Sequence, residues 1–537
     1  MTMPAPAIAA SREPPDLLGA PRTEETLTVA RNVSTRYLAI AVELVVGLLV
    51  LPFNVAHLGK AAYGLWMLAG SVTAYFSILD LGYAGALVKF VAQYRARRDI
   101  QALNEVLSTT FYLFALFGAV TYLLAIVVAV YLGQLFHLTP EQVHLGRIIL
   151  LVTSLTVASS TAFSVFGGVI NGFQRYDLNN LVGTVSTIIT AIVNVVVLAA
   201  GFGLIALVCA TTAVRVLTYW VYRANAYRVF PGLRIRASSF SLARLREVTG
   251  FSVYMLLIDW SRKLNYSVDT LVIGAFLNTT AVAVFSVGQR LAEATQRLTN
   301  QLNDVLFPTV VDNDTAERLD RLQAIFIQGT RLSLATVIPI AGAMMLMARP
   351  LVQAWVGPEF LGSVIVLHLL SLSVIARVGN ATATTVLKGS GRHRLVAWVN
   401  VATAVVNLSL SVLLVPSMGL AGVAVGTLVP VTLAAVFVIF PAGYRRVRLS
   451  FRRAWSQAVW PALWPTAAMV IYVEATREFV APNLIAVGAE MMLAALVYAA
   501  AFLLLGISGA ERRFYIGKAF DLTSRWRVDG PPVSEGA

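Results

Sequence analysis

The chain has 537 residues, of which 58% are hydrophobic and 13% charged, and its formal net charge at pH 7 is +14. Soluble globular proteins carry about 25% charged residues, so this composition excludes that class and predicts a polytopic membrane protein. The basic residues form short clusters between apolar runs and no nucleic-acid-binding motif, so we expect them to orient helices and contact anionic lipids, with no nucleic acid as a partner.

Residues 1–31 are rich in Pro, Ala and Glu and are expected to form a disordered cytoplasmic tail, because their apolar piece is too short for a secretory signal. Apolar runs follow one another from there, each of about 20 residues, the length that a helix needs to cross the hydrocarbon core. Turn signals and charge clusters divide these runs into about fourteen predicted transmembrane helices. Their predicted starts lie near Arg36, Ala61, Asn104, Val143, Asp177, Gly203, Leu242, Ala281, Leu319, Phe360, Arg394, Gly419, Arg453 and Asn483.

The loops between the predicted helices differ strongly in charge from one side to the other. Most of the Lys and Arg residues fall on one side, including the arginines at positions 95, 97 and 98 and those at 445, 446 and 448. On the other side lie Lys60, Arg147, Arg349 and Arg477. By the positive-inside rule this bias predicts an even number of helices, with both termini in the cytoplasm.

An internal duplication is visible in the apolar part of the chain. The segments 170–175 (INGFQR) and 387–392 (LKGSGR) each precede an apolar helix of nearly equal length. Six helices per repeat is an even number, so both copies should lie the same way up, related by an axis along the membrane normal. The predicted domains are a tail at 1–31, an N-terminal six-helix lobe at 32–230, a cytoplasmic linker at 231–241, a C-terminal six-helix lobe at 242–444, two additional transmembrane helices at 445–507 and a basic cytoplasmic tail at 508–537.

Two predicted helices between residues 241 and 311 carry ionisable residues at membrane depth. Each set recurs at three- and four-residue steps, which places it on one side of a helix. The first set is Asp259, Arg262, Lys263, Tyr266 and Asp269, and the second is Arg290, Glu293, Arg297, Asn300 and Asp304. Because a charge at the bilayer centre costs about 2.5–3.5 kcal/mol even on the insertion scale, both sets should face another helix or a water-filled cavity. The sequence therefore predicts a transporter with a charged central cavity.

Several glycine- and aromatic-rich segments resemble the polysaccharide repeat-unit flippases. These segments are 58–66 (LGKAAYGLW), 75–82 (YFSILDLG) and 90–94 (FVAQY) in the first half, and 387–392 (LKGSGR) and 418–422 (MGLAG) in the second. That family belongs to the multidrug/oligosaccharidyl-lipid/polysaccharide exporter superfamily, which also contains the multidrug extrusion transporters and the lipid II flippases. The resemblance implies an all-α protein with two six-helix lobes in a V, plus two extra helices. It also implies transport of an undecaprenyl-diphosphate-linked oligosaccharide from the inner to the outer leaflet of the bacterial inner membrane.

A carrier for such a substrate needs basic groups for the diphosphate and a wet cavity for the sugars. The expected diphosphate ligands are Arg262, Lys263, Arg290 and Arg297, because guanidinium groups match phosphate geometry. The predicted substrate-binding set is completed by Lys89, Tyr266 and Asp80. Candidates for ion coupling are Glu43 and Asp259, because a buried carboxylate can load and release a cation.

Other interpretations of the same residues remain open. The charged residues could neutralise one another as helix pairs: Arg290 and Arg297 with Glu293, Asp259 with Arg262 or Lys263, and Glu43 with Arg36. Three further arginines are expected to snorkel or pair near helix ends: Arg215, Arg331 and Arg377. The single cysteine, Cys209, lies in an apolar run, so no disulfide framework, metal site or cofactor is expected.

Three other functions compete with a flippase. A cation-coupled multidrug exporter of the same superfamily would have a net acidic cavity. A membrane glycosyltransferase or polymerase would need a sizeable external loop, whereas segments such as 201–203 and 416–419 are little more than turns. A lipid scaffold would give the internal duplication no purpose. The favoured interpretation is a monomeric, non-enzymatic flippase, with a lipid-linked oligosaccharide, membrane lipids, a polysaccharide polymerase and other assembly proteins as partners.

Overall fold

The computed structural model describes residues 23–76, 83–249, 268–507 and 511–512, and within these ranges it leaves aside the side chains of 23–30, 33, 83–86 and 300–305. Every regular element in these ranges is a helix, which confirms the all-α prediction. The first six helices are α1 (Thr23–Phe76), α2 (Tyr83–Ala96), α3 (Ile100–Leu135), α4 (Pro140–Gly172), α5 (Tyr176–Ala199) and α6 (Leu204–Val229).

The second half begins with helical residues at 242–249 and 268–276. Seven helices follow: α7 (Thr279–Thr315), α8 (Leu319–Leu346), α9 (Ala348–Val356), α10 (Ser363–Gly379), α11 (Ala381–Gly389), α12 (His393–Leu433) and α13 (Phe440–Arg446). The last four are α14 (Phe451–Ala454), α15 (Trp460–Leu463), α16 (Thr466–Thr476) and α17 (Leu484–Ala501). Segments of π-helix join some of them without a break, at Ala434–Ile439 and Trp455–Val459.

Local sequence signals explain several helix starts. Asp99 accepts a hydrogen bond from the Ala102 backbone N–H and so caps α3. Thr139 and Gln142 form a reciprocal capping box at the start of α4, with Pro140 at the first helical position. Each cap satisfies backbone N–H groups that a helix start leaves without an intrahelical partner. The first cap ends the short connection from α2 to α3, and the second ends the one from α3 to α4.

Two glycines divide the longest helices. In the described ranges, nine helices are long and apolar enough to cross a membrane, and the two longest are Ser34–Phe76 and His393–Arg446, of 43 and 54 residues. At about 1.5 Å per residue, each is at least twice as long as a bilayer of about 30 Å requires. Each breaks at a glycine with positive φ, Gly59 at 73° and Gly419 at 56°, a conformation that other residues rarely adopt. Both breaks coincide with predicted turns, so each long helix can supply two crossings.

The helices form two groups joined mainly through α1 and α7. In the first group, α3 packs against α4, α4 against α6, and α1 against α5. In the second, α7 packs against α8, α10 and α11. The joining contact is very close, because a Cβ atom added to Gly64 of α1 would lie 1.8 Å from the Thr279 carbonyl oxygen at the start of α7. A glycine at position 64 is therefore required for the observed approach of α1 to α7.

Candidate functional site

A polar cavity of about 760 Å³ lies where α1, α4, α5, α6 and α7 meet. We call it the central cavity. Its lining contains many hydroxyl side chains: Thr73, Thr153, Thr156, Ser186, Thr187, Thr190, Thr211, Thr212 and Thr218. The aromatic side chains of Tyr63 and Trp66 also line it, with ring centroids 6.2 Å apart and nearly perpendicular planes. A cavity of this polarity inside an apolar helix bundle can hold water or a hydrophilic ligand.

A second cavity of about 960 Å³ adjoins the first. We call it the inner cavity. Both cavities are lined by Glu43, Gly183, Thr187, Tyr219 and Tyr222, so they form one continuous space. The inner cavity extends to residues at the start of α1 and α5, including Asn32, Arg36 and Tyr176. We call this end of the molecule the inner end, and the end that contains Gly59 the outer end.

Contacts between the two helix groups close the outer end. The Lys60 ammonium donates a hydrogen bond of 3.0 Å to the Glu359 carbonyl and lies 5.3 Å from the centroid of the Phe360 ring. The Trp355 indole donates to the Leu48 carbonyl at 2.9 Å, and the Gln142 amide donates to the Thr279 hydroxyl at 3.2 Å. The cavities are thus separated from the outer end by a layer of direct contacts.

The hydroxyl groups of the lining are oriented by their own helices. Thr153 donates to the Ile149 carbonyl at 2.8 Å, Thr187 to Gly183 at 3.0 Å and Thr218 to Val214 at 2.8 Å. A hydroxyl that donates its proton to the helix backbone still offers oxygen lone pairs to a ligand. Asn54 and Asn194 also line the central cavity, but their side-chain oxygens are buried and have no hydrogen-bond partner among the described residues. The acceptors of the wall are therefore its hydroxyl oxygens, which suit the many hydroxyl donors of a sugar.

Arg290 and Arg297 of α7 both line the central cavity, as the spacing predicted, and Glu293 lies between them. Arg297 makes an ion pair of 2.5 Å with Glu43 on α1, and the two side chains remain 52% and 57% exposed. Glu293 instead accepts a hydrogen bond of 2.9 Å from Gln289. In the described part of the chain, Arg290 and Arg297 thus form no ion pair with Glu293 along the helix. Glu43 forms its ion pair with Arg297 and not with Arg36, the partner that the sequence offered as an alternative.

Arg290 lies beside the Tyr63 hydroxyl, and its guanidinium approaches the Met67 sulfur to 3.9 Å. Arg215 of α6 also lines the central cavity, two turns from Tyr222 and one from Tyr219. No described carboxylate lies within ion-pairing distance of Arg290 or Arg215. From the sequence, Arg215 was expected to snorkel or pair near a helix end. The available signal that it faces the cavity was its position four residues before Tyr219 in a Thr-rich helix. Across both cavities, four arginines face two glutamates: Arg36, Arg215, Arg290 and Arg297 against Glu43 and Glu293.

Of the remaining predicted residues, one does not line either cavity and the others lie outside the described part of the chain. Lys89 is exposed, lies 5.1 Å from the Phe90 ring centroid and is not among the residues lining either cavity, although its neighbour Val88 is. Five predicted residues lie outside the described ranges: Asp80, Asp259, Arg262, Lys263 and Tyr266. The side chains of Asn300 and Asp304 also lie outside the description. Their contribution to the cavity stays a prediction.

Asp269 forms a separate buried polar cluster. Its side chain accepts a hydrogen bond of 2.7 Å from Thr427, and the Asn407 amide donates to Thr427 at 3.0 Å. Ser411 donates to the Asn407 side-chain oxygen at 3.2 Å. The second Asp269 carboxylate oxygen has no partner among the described residues, and Asp269, Arg377 and Thr427 line a space of about 30 Å³. The described residues hold no group of three or more His, Cys, Asp or Glu that could bind a metal ion, and the space beside Asp269 is lined by Glu293 as well as by Arg377.

The sequence of this chain matches the family model described as "Polysaccharide biosynthesis protein" over residues 57–365. It is also 24% identical over 419 residues to the "Probable flippase AglR" of Haloferax volcanii, an alignment that covers 76% of this chain and 83% of that protein.

Two solved structures share the fold. A lipid II flippase, MurJ, in an inward closed conformation superposes with a TM-score of 0.70 at 13% identity, covering 88% of this chain and 97% of that one. An inward-facing multidrug resistance transporter of the MATE family superposes with a TM-score of 0.60 at 18% identity, covering 79% of this chain and 98% of that one. The chain therefore has the fold of these two multi-pass membrane proteins.

Proposed function

Because this chain belongs to the polysaccharide biosynthesis family of flippases within the multidrug/oligosaccharidyl-lipid/polysaccharide exporter superfamily, we propose that it flips an undecaprenyl-diphosphate-linked oligosaccharide repeat unit across the inner membrane for surface polysaccharide assembly. The observation that carries this proposal is the lining of the two cavities. It combines an excess of arginine with a wall of hydroxyl acceptors. The arginines fit a diphosphate, and the acceptors fit sugar hydroxyls.

We assign the diphosphate to Arg290 and Arg215, which have no carboxylate partner among the described residues. Arg297 joins them when the anion replaces Glu43, since a half-exposed ion pair contributes only about 0–1 kcal/mol and is easily exchanged. Further proposed ligands, from the sequence alone, are Arg262, Lys263 and Tyr266. Lys89 and Asp80 remain proposed contacts for the substrate as it enters.

The proposed membrane topology has fourteen crossings. Breaks at Gly59 and Gly419 and the short gaps between the remaining helices support this number. The proposed lobes are 32–230 and 242–444, joined by the linker 231–241, with two additional helices at 445–507 and cytoplasmic tails at 1–31 and 508–537. In this orientation the inner end faces the cytoplasm, and the observed arrangement is the inward-facing state of an alternating-access cycle.

Ion coupling is the second part of the proposal. Glu43 already has its charge balanced by Arg297, which leaves it a weaker candidate than the sequence suggested. Asp269 is buried, with one carboxylate oxygen unpartnered among the described residues, so it is the better candidate for loading a proton, whereas Arg377 in the same small space disfavours a metal cation. Asp259, which lies outside the described ranges, remains a candidate from the sequence.

The rival function, export of cationic drugs, is disfavoured by the same lining. An organic cation would meet Arg215 and Arg290 without a described carboxylate to balance them, and like charges repel it. The multidrug transporters that share the fold are less than 25% identical, so they support the architecture alone.

A flipping assay in proteoliposomes tests the proposal. The vesicles contain a fluorescent undecaprenyl-diphosphate-linked oligosaccharide, and a membrane-impermeant reductant destroys fluorescence in the outer leaflet. We expect wild-type protein to expose the protected half of the substrate. Arg290→Gln and Arg215→Gln should each slow this step about tenfold or more, as expected for loss of a charge-assisted phosphate contact of about 1.5–3 kcal/mol.

Arg223→Gln is the matched control, because Arg223 lies on α6 two turns from Arg215, stacks on Trp220 and Tyr227, and does not line either cavity. Equal rates for Arg290→Gln, Arg215→Gln and Arg223→Gln, in protein that elutes as wild type on gel filtration, would contradict the diphosphate assignment.

A further inference from the structure

A third cavity lies apart from the transport path, on the other helix group. It has a volume of about 560 Å³ and lies between α8 and the helical segment that runs from α14 to α15. None of its lining residues lines the central or the inner cavity. We call this third cavity the crevice. A cavity needs about 10–15 Å³ to hold one water, so the crevice can hold a polar group considerably larger than water.

One wall of the crevice is a stripe of mostly polar side chains on α8. The residues that follow one another at helical spacing along this wall are Asp320, Gln323, Ile327, Gln328 and Arg331. Because α7 runs from the outer to the inner end, α8 starts at the inner end, and Asp320 lies there. Arg331 is eleven residues further, about 16 Å deeper at 1.5 Å per residue. The stripe thus leads from the inner surface toward the middle of the membrane.

The opposite wall is contributed by Arg453, Ser456, Gln457 and Pro461. The Arg453 guanidinium donates a hydrogen bond of 3.3 Å to the Gln457 side-chain oxygen, which leaves the Gln457 amide hydrogens directed elsewhere. Ser456 and Gln457 lie in the π-helical segment Trp455–Val459. Single π-helical turns inside α-helices occur frequently at functional sites.

Arg331 forms the deep end of the crevice. Its side chain is 8% exposed and makes an ion pair with Glu511, and its Nε has no hydrogen-bond partner among the described residues. A buried guanidinium with an unpartnered N–H is costly in a membrane unless another acceptor reaches it. The Arg331–Glu511 pair occupies this deep end, and the other two charged residues of the lining, Asp320 and Arg453, are the ones available to a ligand. A guanidinium such as that of Arg453 binds phosphate strongly.

The crevice carries both signs of charge in equal number. Two acidic residues, Asp320 and Glu511, and two arginines, Arg331 and Arg453, line it, together with neutral donors and acceptors. This balance disfavours a purely anionic ligand and suits one that carries a phosphate and an ammonium group. The exposed mouth at the inner end gives access from the adjacent leaflet. We propose that the crevice binds the headgroup of the zwitterionic phospholipid phosphatidylethanolamine, with Arg453 on the phosphate and Asp320 on the ammonium.

Native mass spectrometry of the full chain tests this site. Detergent-solubilised protein is titrated separately with phosphatidylethanolamine, phosphatidylcholine and phosphatidylglycerol of identical acyl chains. We expect one phosphatidylethanolamine to be retained about tenfold more tightly than the other two, because choline has no N–H to donate to Asp320 and glycerol has no positive charge. Arg453→Gln and Asp320→Asn should each abolish most of this preference.

Arg452→Gln is the matched control, since Arg452 is the adjacent exposed arginine and does not line the crevice. Equal retention of the three lipids by wild type overturns the proposal, and so does a preference for phosphatidylglycerol. An unchanged preference in both Arg453→Gln and Asp320→Asn overturns it as well. None of these results bears on the flipping assay, which reports on the arginines of the central cavity.

Discussion

Two arginine–glutamate pairs at membrane depth are built in opposite ways. Arg297 and Glu43 join α7 to α1 across the central cavity, and both side chains are more than half exposed. Arg331 and Glu511 join α8 to the segment after α17, and the arginine is 8% exposed. A hydrated pair can exchange partners at low cost, whereas a buried pair holds its helices together because separation would leave a charge without a partner. Exposure therefore distinguishes a pair that can respond to substrate from one that fixes the fold.

The largest effect should follow from breaking the buried pair. Arg331→Met removes the buried guanidinium that pairs with Glu511 and is expected to destabilise the protein by about 2–3 kcal/mol. This is less than the 3–5 kcal/mol of a fully buried pair, because Glu511 is 29% exposed. Thermal unfolding in detergent measures the change. The double variant Arg331→Met/Glu511→Leu should recover most of the loss, and a double variant as unstable as the single one would show that the charges do not matter.

The next effect comes from separating the helices that carry the exposed pair. In Gly64→Ala the new Cβ would lie 1.8 Å from the Thr279 carbonyl oxygen, so α1 and α7 must move apart. We expect a loss of about 1–3 kcal/mol, typical of overpacking, together with slower flipping. Gly70→Ala is the control, because no atom lies within 4 Å of the position of its added Cβ. If the two variants unfold at the same temperature, the close contact at the outer end is not required.

A smaller effect is expected from breaking the exposed pair itself. Glu43→Gln should change stability by less than about 1 kcal/mol, because both partners are hydrated. It removes the carboxylate that competes for Arg297, so we expect undecaprenyl diphosphate to bind about two- to fivefold more tightly than to wild type. Fluorescence anisotropy of a labelled analogue measures this affinity. Weaker binding to Glu43→Gln would indicate that Glu43 contacts the ligand favourably.

A comparably small effect should come from the outer end. Lys60→Met removes one hydrogen bond to the Glu359 carbonyl and one cation–π contact with Phe360, together about 1 kcal/mol. These contacts close the outer end, so we expect the variant to label faster at Tyr63→Cys with an externally added maleimide, in a Cys209→Ser background. If Lys60→Met does not speed the labelling relative to the same background with Lys60 retained, Lys60 has no gating role.

The sequence was sufficient to predict which residues of a single helix, α7, face the cavity. Arg290 and Arg297 are seven residues apart on α7, and helical spacing together with the cost of intramembrane charge predicted that they face a cavity. Their actual ion-pair partner, Glu43, could not be predicted, because it depends on how closely α1 approaches α7. That approach is set by Gly64, whose sequence context carries no sign of a partner helix.

The hydroxyl wall could not be predicted for a different reason. Thr187 and Thr218 occur in apolar helices, where a threonine can equally bond to its own backbone and face lipid or another helix. Five separate helices contribute to the central cavity, so no single periodic pattern describes it. Arg215 was missed on the same ground, since an isolated arginine in an apolar helix is compatible with snorkelling. Composition alone predicted the all-helical architecture. It could not predict where the helices separate to form the central cavity.

Direct binding of undecaprenyl diphosphate to the purified protein tests the central claim most sharply. Anisotropy titrations of wild type, Arg290→Gln, Arg215→Gln and the Arg223→Gln control at two salt concentrations separate specific from general electrostatic attraction. We predict that the two cavity variants each bind about tenfold more weakly than wild type and that Arg223→Gln binds as wild type does. Identical affinities for all four proteins would show that the arginine-lined cavity does not hold the anionic headgroup.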